Sequence, residues 1–366
     1  MKNEVRSLYI HIPFCKNICA YCDFCKMYYN EKLLDKYLVE LEKEIKENYK
    51  NDKIETIYIG GGTPSSLSIN ELKKLFSIIK CIDTSNLVEF TFEANINDIS
   101  EELLYLLKEN QVNRLSIGIE TINNKYLKLM ERYHTKEDVV NKINLSKRYF
   151  DNINVDFMYG FNGQTFDELK SDLEFFKGLD VPHISIYSLI LEPNTKLYIN
   201  NIAPLDEEVE SRMYFYIIDY LKELGYMHYE ISNFSKNGYN SYHNLTYWNN
   251  ESYYGFGLGA SGYIDNIRYT NTRSINNYLK GNYKLEKNFI TNEVSMENEM
   301  ILGLRKIEGV NKEKFFNKYH VHIENVFEID KLIKDKLLID DGGYIFIPHD
   351  KLYLQNSILV NFIKNN

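Results

Sequence analysis

Three cysteines near the start of the chain, Cys15, Cys19 and Cys22, are spaced C-x-x-x-C-x-x-C directly after a strand-like run at residues 7–13. Thiolates are soft ligands and suit iron–sulfur sites. Three of them in one short loop can wrap a cubane of four irons and leave one iron without a cysteine. Such an iron is open to a small chelating molecule. A zinc loop is the alternative, with Cys25 as the fourth ligand that a closed zinc site requires. A second feature supports ligand chemistry. Gly60, Gly61 and Gly62, followed by Thr63 and Pro64, come straight after another strand-like run. Glycines there let a small molecule approach the backbone where a Cβ would block it. Glu93 is a carboxylate able to pair with an ammonium, and Arg132 can grip a carboxylate through two parallel hydrogen bonds. Glu120 and Asp156 can accept from hydroxyls. Each of these four charges alternatively reads as a salt bridge at the rim of a sheet.

Regular alternation of strand and helix patterns supplies the scaffold. Strand-like runs fall at 8–12, 56–59, 89–93, 114–119, 154–158 and 183–189, and helical patterns lie between them with apolar residues at three- and four-residue spacing. Six strands joined by helices imply parallel strands and right-handed crossovers. The expected fold is α/β: a partial (β/α)6 barrel with a C-terminal α+β, winged-helix-like appendage. In such folds functional residues gather at the carboxyl ends of the strands, and the cysteines, the glycines, Glu93, Glu120, Asp156 and Tyr187 fall there. The expected divisions are 1–230 for the core, 231–295 for a connecting segment, and 296–366 for the appendage. A hairpin is expected around Gly342-Gly343.

Bulk properties narrow the class. The chain has 366 residues, 44% hydrophobic and 26% charged, with a formal net charge of −9. That balance argues against nucleic acid as a partner. No apolar run approaches a membrane span, and the start of the chain lacks a secretory signal. Four of the five cysteines lie within residues 15–25, which fits metal ligation in a reducing compartment and predicts a cytoplasmic location. Cys81, at a predicted helix end, reads as a core residue. The 31 tyrosines read as genomic base bias.

The cysteine loop, residues 60–64, Glu93-Ala94-Asn95, Arg114-Leu115-Ser116-Ile117-Gly118-Ile119-Glu120 and Asp156-Phe157-Met158-Tyr159-Gly160 together resemble the radical SAM proteins related to oxygen-independent coproporphyrinogen III dehydrogenase. The resemblance spans nearly the whole chain. Tyr229-Glu230-Ile231-Ser232-Asn233-Phe234 and His243-Asn244-Leu245-Thr246-Tyr247-Trp248 are similar to the haem-chaperone branch of that family. The resemblance implies a 4Fe–4S cluster on Cys15, Cys19 and Cys22, with S-adenosylmethionine chelating the fourth iron through its amino and carboxylate groups. It places Gly60, Gly61, Gly62 and Thr63 against the methionine part, Glu93 on the ammonium, Arg132 on the carboxylate, and Glu120 and Asp156 on the ribose. Tyr9 and Tyr21 flank the cofactor.

Haem is the implied cargo, delivered to haem-requiring respiratory proteins, some of them at the membrane, which adds a peripheral membrane location to the cytoplasmic one. A flavodoxin or ferredoxin is the implied electron donor where S-adenosylmethionine is cleaved. Candidate haem contacts are His243 as axial ligand, Tyr247 and Trp248 as stacking rings, and Cys25. The alternative makes 243–248 a structural plug.

The sequence departs from the family in places. The family usually has Gln where Glu120 stands, and that charge would repel Asp156 if the two are close. A proline usual in the loop at 160–165 is missing. The dehydrogenase has a further cysteine two residues after the third cluster cysteine, where this chain has Phe24, and an N-terminal extension that is expected to be absent here. Both features favour the chaperone. The competing expectations are a radical enzyme acting on a porphyrinogen or another substrate, and a redox sensor that keeps its cluster without turnover.

Overall fold

Six strands form where the alternation predicts them, in a computed structural model that describes residues 4–363. They are β1 (Ser7–Ile12), β2 (Thr56–Gly61), β3 (Glu89–Asn95), β4 (Arg114–Glu120), β5 (Asn152–Tyr159) and β6 (His183–Ser188), parallel neighbours in chain order. Helices α1 (Glu31–Asn48), α2 (Ile69–Ile79), α3 (Glu101–Glu109), α4 (Asn124–Leu129), α5 (Lys136–Lys147) and α6 (Phe166–Leu179) connect them. Local signals set the helix starts. Ser68 with Glu71, Thr135 with Asp138, and Thr165 with Glu168 each close a reciprocal capping box.

The pleat sorts the side chains by chemistry. Leu8, Ile10 and Ile12, Ile57 and Ile59, and Leu115, Ile117 and Ile119 share one core with the helices. On the opposite face stand Ser7, Thr56, Arg114, Ser116, Asn154, Asp156, His183 and Ser185, which bond one another or line a cavity. Branched apolar side chains usually fill a parallel barrel; here the interior face is polar and holds a site.

Residues 231–295 prove not to be a separate connector. They extend the same sheet on both sides. β7 (Met227–Glu230) and β8 (Asn233–Ser235) add antiparallel strands beyond β6, and between them and β9 lies α8 (Tyr242–Trp248), after the long α7 (Glu207–Glu223). β9 (Tyr253–Phe256) pairs parallel with β1, and β10 (Ser261–Ile264), β11 (Ile267–Asn271) and β12 (Lys284–Phe289) follow antiparallel. The sheet order is β12-β11-β10-β9-β1-β2-β3-β4-β5-β6-β8-β7. The boundary expected at residue 230 therefore falls inside one hydrogen-bonded sheet. Glu44 of α1 fastens the extension. It is fully buried and accepts from the Gly257 amide at 2.8 Å, Asn271 at 2.7 Å and Tyr278 at 2.6 Å. A buried carboxylate is tolerated when donors saturate it in this way.

The C-terminal part combines α9 (Asn292–Gly303) and α10 (Lys312–Tyr319) with an antiparallel sheet of β13 (Val310–Asn311), β14 (Ile339–Asp340) and β15 (Tyr344–Phe346). Gly342, at φ +93°, makes the expected turn. No helix among the described residues is long and apolar enough to cross a membrane.

Candidate functional site

The cysteine loop leaves the carboxyl end of β1 and is pinned at several points. Phe14–Cys15 pairs with Met27–Tyr28, which ties the two ends of the loop together. The Ala20 amide donates to the Met130 carbonyl at 3.0 Å, and its carbonyl accepts from the Leu197 amide at 3.1 Å. Cys15, Cys19 and Cys22 all line one cavity of about 450 Å³ at the carboxyl ends of the strands. Thr63 Oγ1 donates to the Cys15 sulfur at 3.3 Å, and Arg132 Nη1 approaches the Cys19 sulfur at 3.6 Å. Burial pushes the Cys15 thiol up to about 11 and raises Cys22 as well. Among the described residues, no three Cys, His, Asp or Glu side chains converge on a point that could hold a single metal ion. Around one tetrahedral zinc the sulfurs would stand about 3.8 Å apart. Thiolates set around a cavity fit a cluster that takes one on each of three irons.

Cys25 points elsewhere. A Cβ on Gly259 would lie 2.9 Å from its sulfur, and Arg273 bonds the thiol. Cys81 is exposed, not core. It sits on the turn after α2 and its thiol donates to the Ile78 carbonyl at 3.1 Å.

The glycine run continues β2 beneath the loop. The Gly62 and Thr63 amides donate to the carbonyls of Ile12 and Phe14, at 2.8 and 2.9 Å. A Cβ on Gly62 would sit 2.8 Å from the Pro13 backbone and 3.0 Å from the Cys15 sulfur. One on Gly60 would collide with the Glu93 carboxylate at 2.7 Å. Glu93 is held there by Tyr58, at 2.7 Å, and by the Gly61 amide, at 2.9 Å.

The next strand carries a device that spacing alone did not reveal. A bulge between Gly118 and Glu120 puts Glu120 at φ +68°. Such strain is found where it re-aims a side chain. Glu120 Oε1 accepts from Tyr21 at 2.9 Å and pairs with Arg132 Nη1 at 3.1 Å. Arg132 Nη2 also donates to the Gly118 carbonyl at 2.6 Å. A Cβ at Gly118 would come within 2.9 Å of the Glu120 carboxylate, so glycine makes room for the pair. Arg132 Nε is buried without a partner. Asp156, on β5, accepts from Asn154 at 2.9 Å. Its carboxyl is pushed up to about 7, first by burial, then by the charges of Glu120 and Glu93. The repulsion foreseen between Glu120 and Asp156 is thus present, and Arg132 offsets it.

These parts form one pocket. Tyr21, Gly61, Gly62, Thr63, Glu93, Glu120, Arg132 and Asp156 line the same cavity as the cysteines. Gly60 and Tyr9 lie behind it, with the Tyr9 hydroxyl 2.9 Å from His11 Nδ1. A chelating amino acid with a cationic sulfur and a ribose fits this set. The carboxylates suit its positive charges and ribose hydroxyls, the glycines admit it to the backbone, and Arg132 has an unused donor for its carboxylate.

The Asp156 shift gives a testable pH effect. With its ordinary value near 3.8 raised to about 7, the folded protein holds that proton more tightly than the unfolded chain. Stability should fall as pH rises from about 4 to 7, and the loss should be complete above 7. Asp156→Asn should flatten that slope in denaturation curves recorded across the window; an unaltered slope would place the titration elsewhere.

The haem candidates on α8 are not together at the surface. His243 is 1% exposed. Its Nδ1 is 2.8 Å from Thr56 Oγ1 and its Nε2 is 2.8 Å from the Tyr247 hydroxyl. Burial pushes it down to about 3, so the ring is neutral and engaged at both nitrogens. Thr246 bonds Ser7 at 2.7 Å, and the Glu89 carboxylate takes the Ser241 hydroxyl and the Tyr242 and His243 amides. α8 is thus packed against the sheet, and both ring nitrogens of His243 are engaged within the protein. Its member that reaches the cavity is Asn244, which the sequence did not single out, as it did not Ser185 and the exposed Ile190; Arg114, read only as part of a motif, and Phe24, read only as the place of a missing cysteine, line the cavity too.

Known proteins resemble this chain in sequence and in fold. The model of the radical SAM superfamily matches residues 9–176. The heme chaperone HemW of Lactococcus lactis subsp. lactis is 41% identical over 99% of this chain and 98% of its own, and that of Bacillus subtilis is 38% identical over 98% and 99%. Coproporphyrinogen III oxidase (HemN) from Escherichia coli, described as a radical SAM enzyme, superposes with a TM-score of 0.86 at 20% identity, covering 98% of this chain and 90% of that one; this likeness is one of fold. The chain carries a radical SAM domain at residues 9–176 and belongs, along nearly its whole length, to the family of the heme chaperone HemW.

Proposed function

We propose that the protein binds haem and passes it to haem-requiring proteins, using a 4Fe–4S cluster on Cys15, Cys19 and Cys22 together with S-adenosylmethionine. The observation that carries the reading is the single cavity in which the three thiols, the glycine run, Arg132 and three carboxylates meet, in a chain similar along its length to proteins named as haem chaperones. A cluster with one iron free of cysteine supplies one-electron chemistry and a chelation site for the cofactor. The chain's residues do the rest. Glu93 meets the ammonium, Arg132 the carboxylate, and Asp156 and Glu120 the ribose. Tyr21 holds Glu120 in place, and the strand walls limit water.

The mouth of the cavity suits a flat apolar ligand. Phe24, Tyr187 and Ile190 line it and are 64%, 43% and 65% exposed. Large apolar side chains gathered at a cavity mouth mark an interaction site. Haem delivery, including to proteins at the membrane, follows from this reading, as does a flavodoxin- or ferredoxin-type donor when the cofactor is cleaved.

Titration of haem into anaerobically reconstituted protein, followed by absorption, tests the proposal. A saturable haem band is expected. His243→Ala should leave that band in place while lowering the melting temperature, because it removes the bonds to Thr56 and Tyr247. Absence of a band in the unmodified protein would defeat the haem reading. Loss of the band in a folded His243→Ala variant would return His243 to the role of ligand.

A further inference from the structure

Arg114 opens β4 and is 1% exposed, yet it lines the cavity. A guanidinium carries five donors and a charge that a protein interior does not tolerate unpaired. Among the described residues it makes no ion pair. Its single hydrogen bond is a long one, 3.4 Å from Nη1 to Thr91 Oγ1, and Nε has no partner. The acids nearby bond other groups, and Glu93 feels the Arg114 charge without standing at ion-pair distance. Glu89 accepts from Ser241 and the backbone of α8, Glu93 from Tyr58 and Gly61, Asp156 from Asn154, and Glu120 from Tyr21 and Arg132. Burial first, and then the Arg114 charge, hold His183 and His243 unprotonated, and a histidine supplies no negative charge to offset a guanidinium.

We infer that Arg114 is the anchor for a carboxylate carried by a second ligand, distinct from the nucleotide cofactor whose own carboxylate meets Arg132. This inference rests on the haem reading for its main source, a propionate of the porphyrin. Arg114 begins four residues, about 13 Å of strand, before Gly118, whose carbonyl holds Arg132. The two cations therefore serve different parts of the cavity. A carboxylate matches the guanidinium fork with two parallel bonds. A doubly charged phosphate does not suit a cavity that already holds three carboxylates. Ser116, Asn154, Ser185 and Asn244 line the same cavity and add neutral polar groups. A porphyrin lying against the apolar mouth and entering edge-on would carry its propionates inward.

The experiment compares haem with its dimethyl ester, which differs only in the two carboxylates, on reconstituted full-length protein and on Arg114→Gln and Arg114→Lys. Haem should bind the unmodified protein at least tenfold more tightly than the ester. Arg114→Gln should bring the two to within about twofold, and Arg114→Lys, which keeps the charge and loses the fork, should fall between. A second arm measures the thermal shift produced by free succinate, a carboxylate from solution. A shift in the unmodified protein that disappears in Arg114→Gln assigns the site to a free acid. The inference is overturned if haem and ester bind the unmodified protein equally and succinate shifts both proteins alike. If haem does not bind at all but the succinate shift depends on Arg114, the anchor stands and the haem reading falls. Should Arg114→Gln fold poorly, Arg114→Lys carries the comparison, and a preference for haem over the ester that either folded variant keeps in full overturns the inference.

Discussion

Replacing any one of Cys15, Cys19 or Cys22 by alanine should abolish the 4Fe–4S absorption of anaerobically reconstituted protein and bring its iron content to background. Each thiol lines the same cavity from one pinned loop, and each would ligate a different iron, so the loss of one leaves two irons short of ligands. No neighbour can substitute. Cys25 packs toward Gly259 and Arg273, and Cys81 lies on the surface at the end of α2. Cys25→Ala should accordingly keep the spectrum. A normal iron count and absorption in any of the three variants would remove that cysteine from the ligand set.

Arg132→Ala should have the next largest effect, and on two observables. Its side chain and that of Glu120 are 6% and 7% exposed. Removing the cation strands a buried carboxylate beside Asp156 and Glu93, which costs about 3–5 kcal/mol of stability. It also removes the proposed partner of the cofactor's carboxylate, which should weaken S-adenosylmethionine binding by about 2–5 kcal/mol. The double variant Arg132→Ala/Glu120→Gln separates the effects. It should recover much of the stability and none of the affinity. Glu120→Gln alone leaves Arg132 free for an incoming carboxylate and should bind the cofactor as well or better. Calorimetry showing unchanged affinity for Arg132→Ala would make the arginine a purely structural partner of Glu120.

The strands, the parallel order and the cysteine and glycine parts of the pocket were legible in the sequence because each has a local signature. Apolar alternation marks β1 to β6, the cysteine spacing marks the loop, and the glycine run marks the close backbone approach beneath it. What escaped notice depends on contacts between distant residues. The Glu120–Arg132 pair needs a bulge that no residue type announces. The segment from 231 to 295 looked like a connector because its strands are short and rich in Gly, Asn and Tyr, and they find partners only at sheet edges built by residues far away in sequence. His243 reads equally as ligand or plug until Thr56 and Tyr247 appear on its two nitrogens. Arg114 sits in a recognisable strand motif, but that its charge lacks a partner is visible only when the surrounding acids are placed.

The most direct test puts two assays on one anaerobic, cluster-loaded sample supplied with S-adenosylmethionine and a reductant: transfer of bound haem to an apo haem protein, and decarboxylation of coproporphyrinogen III. A radical enzyme owes much of its rate to exact placement of the reacting carbon in a dry site, and here the exposed apolar mouth at Phe24, Tyr187 and Ile190 suits a flat ligand that must leave again. The account predicts that haem appears in the acceptor and that no protoporphyrinogen is formed. Repeated turnover of coproporphyrinogen without haem transfer would contradict it.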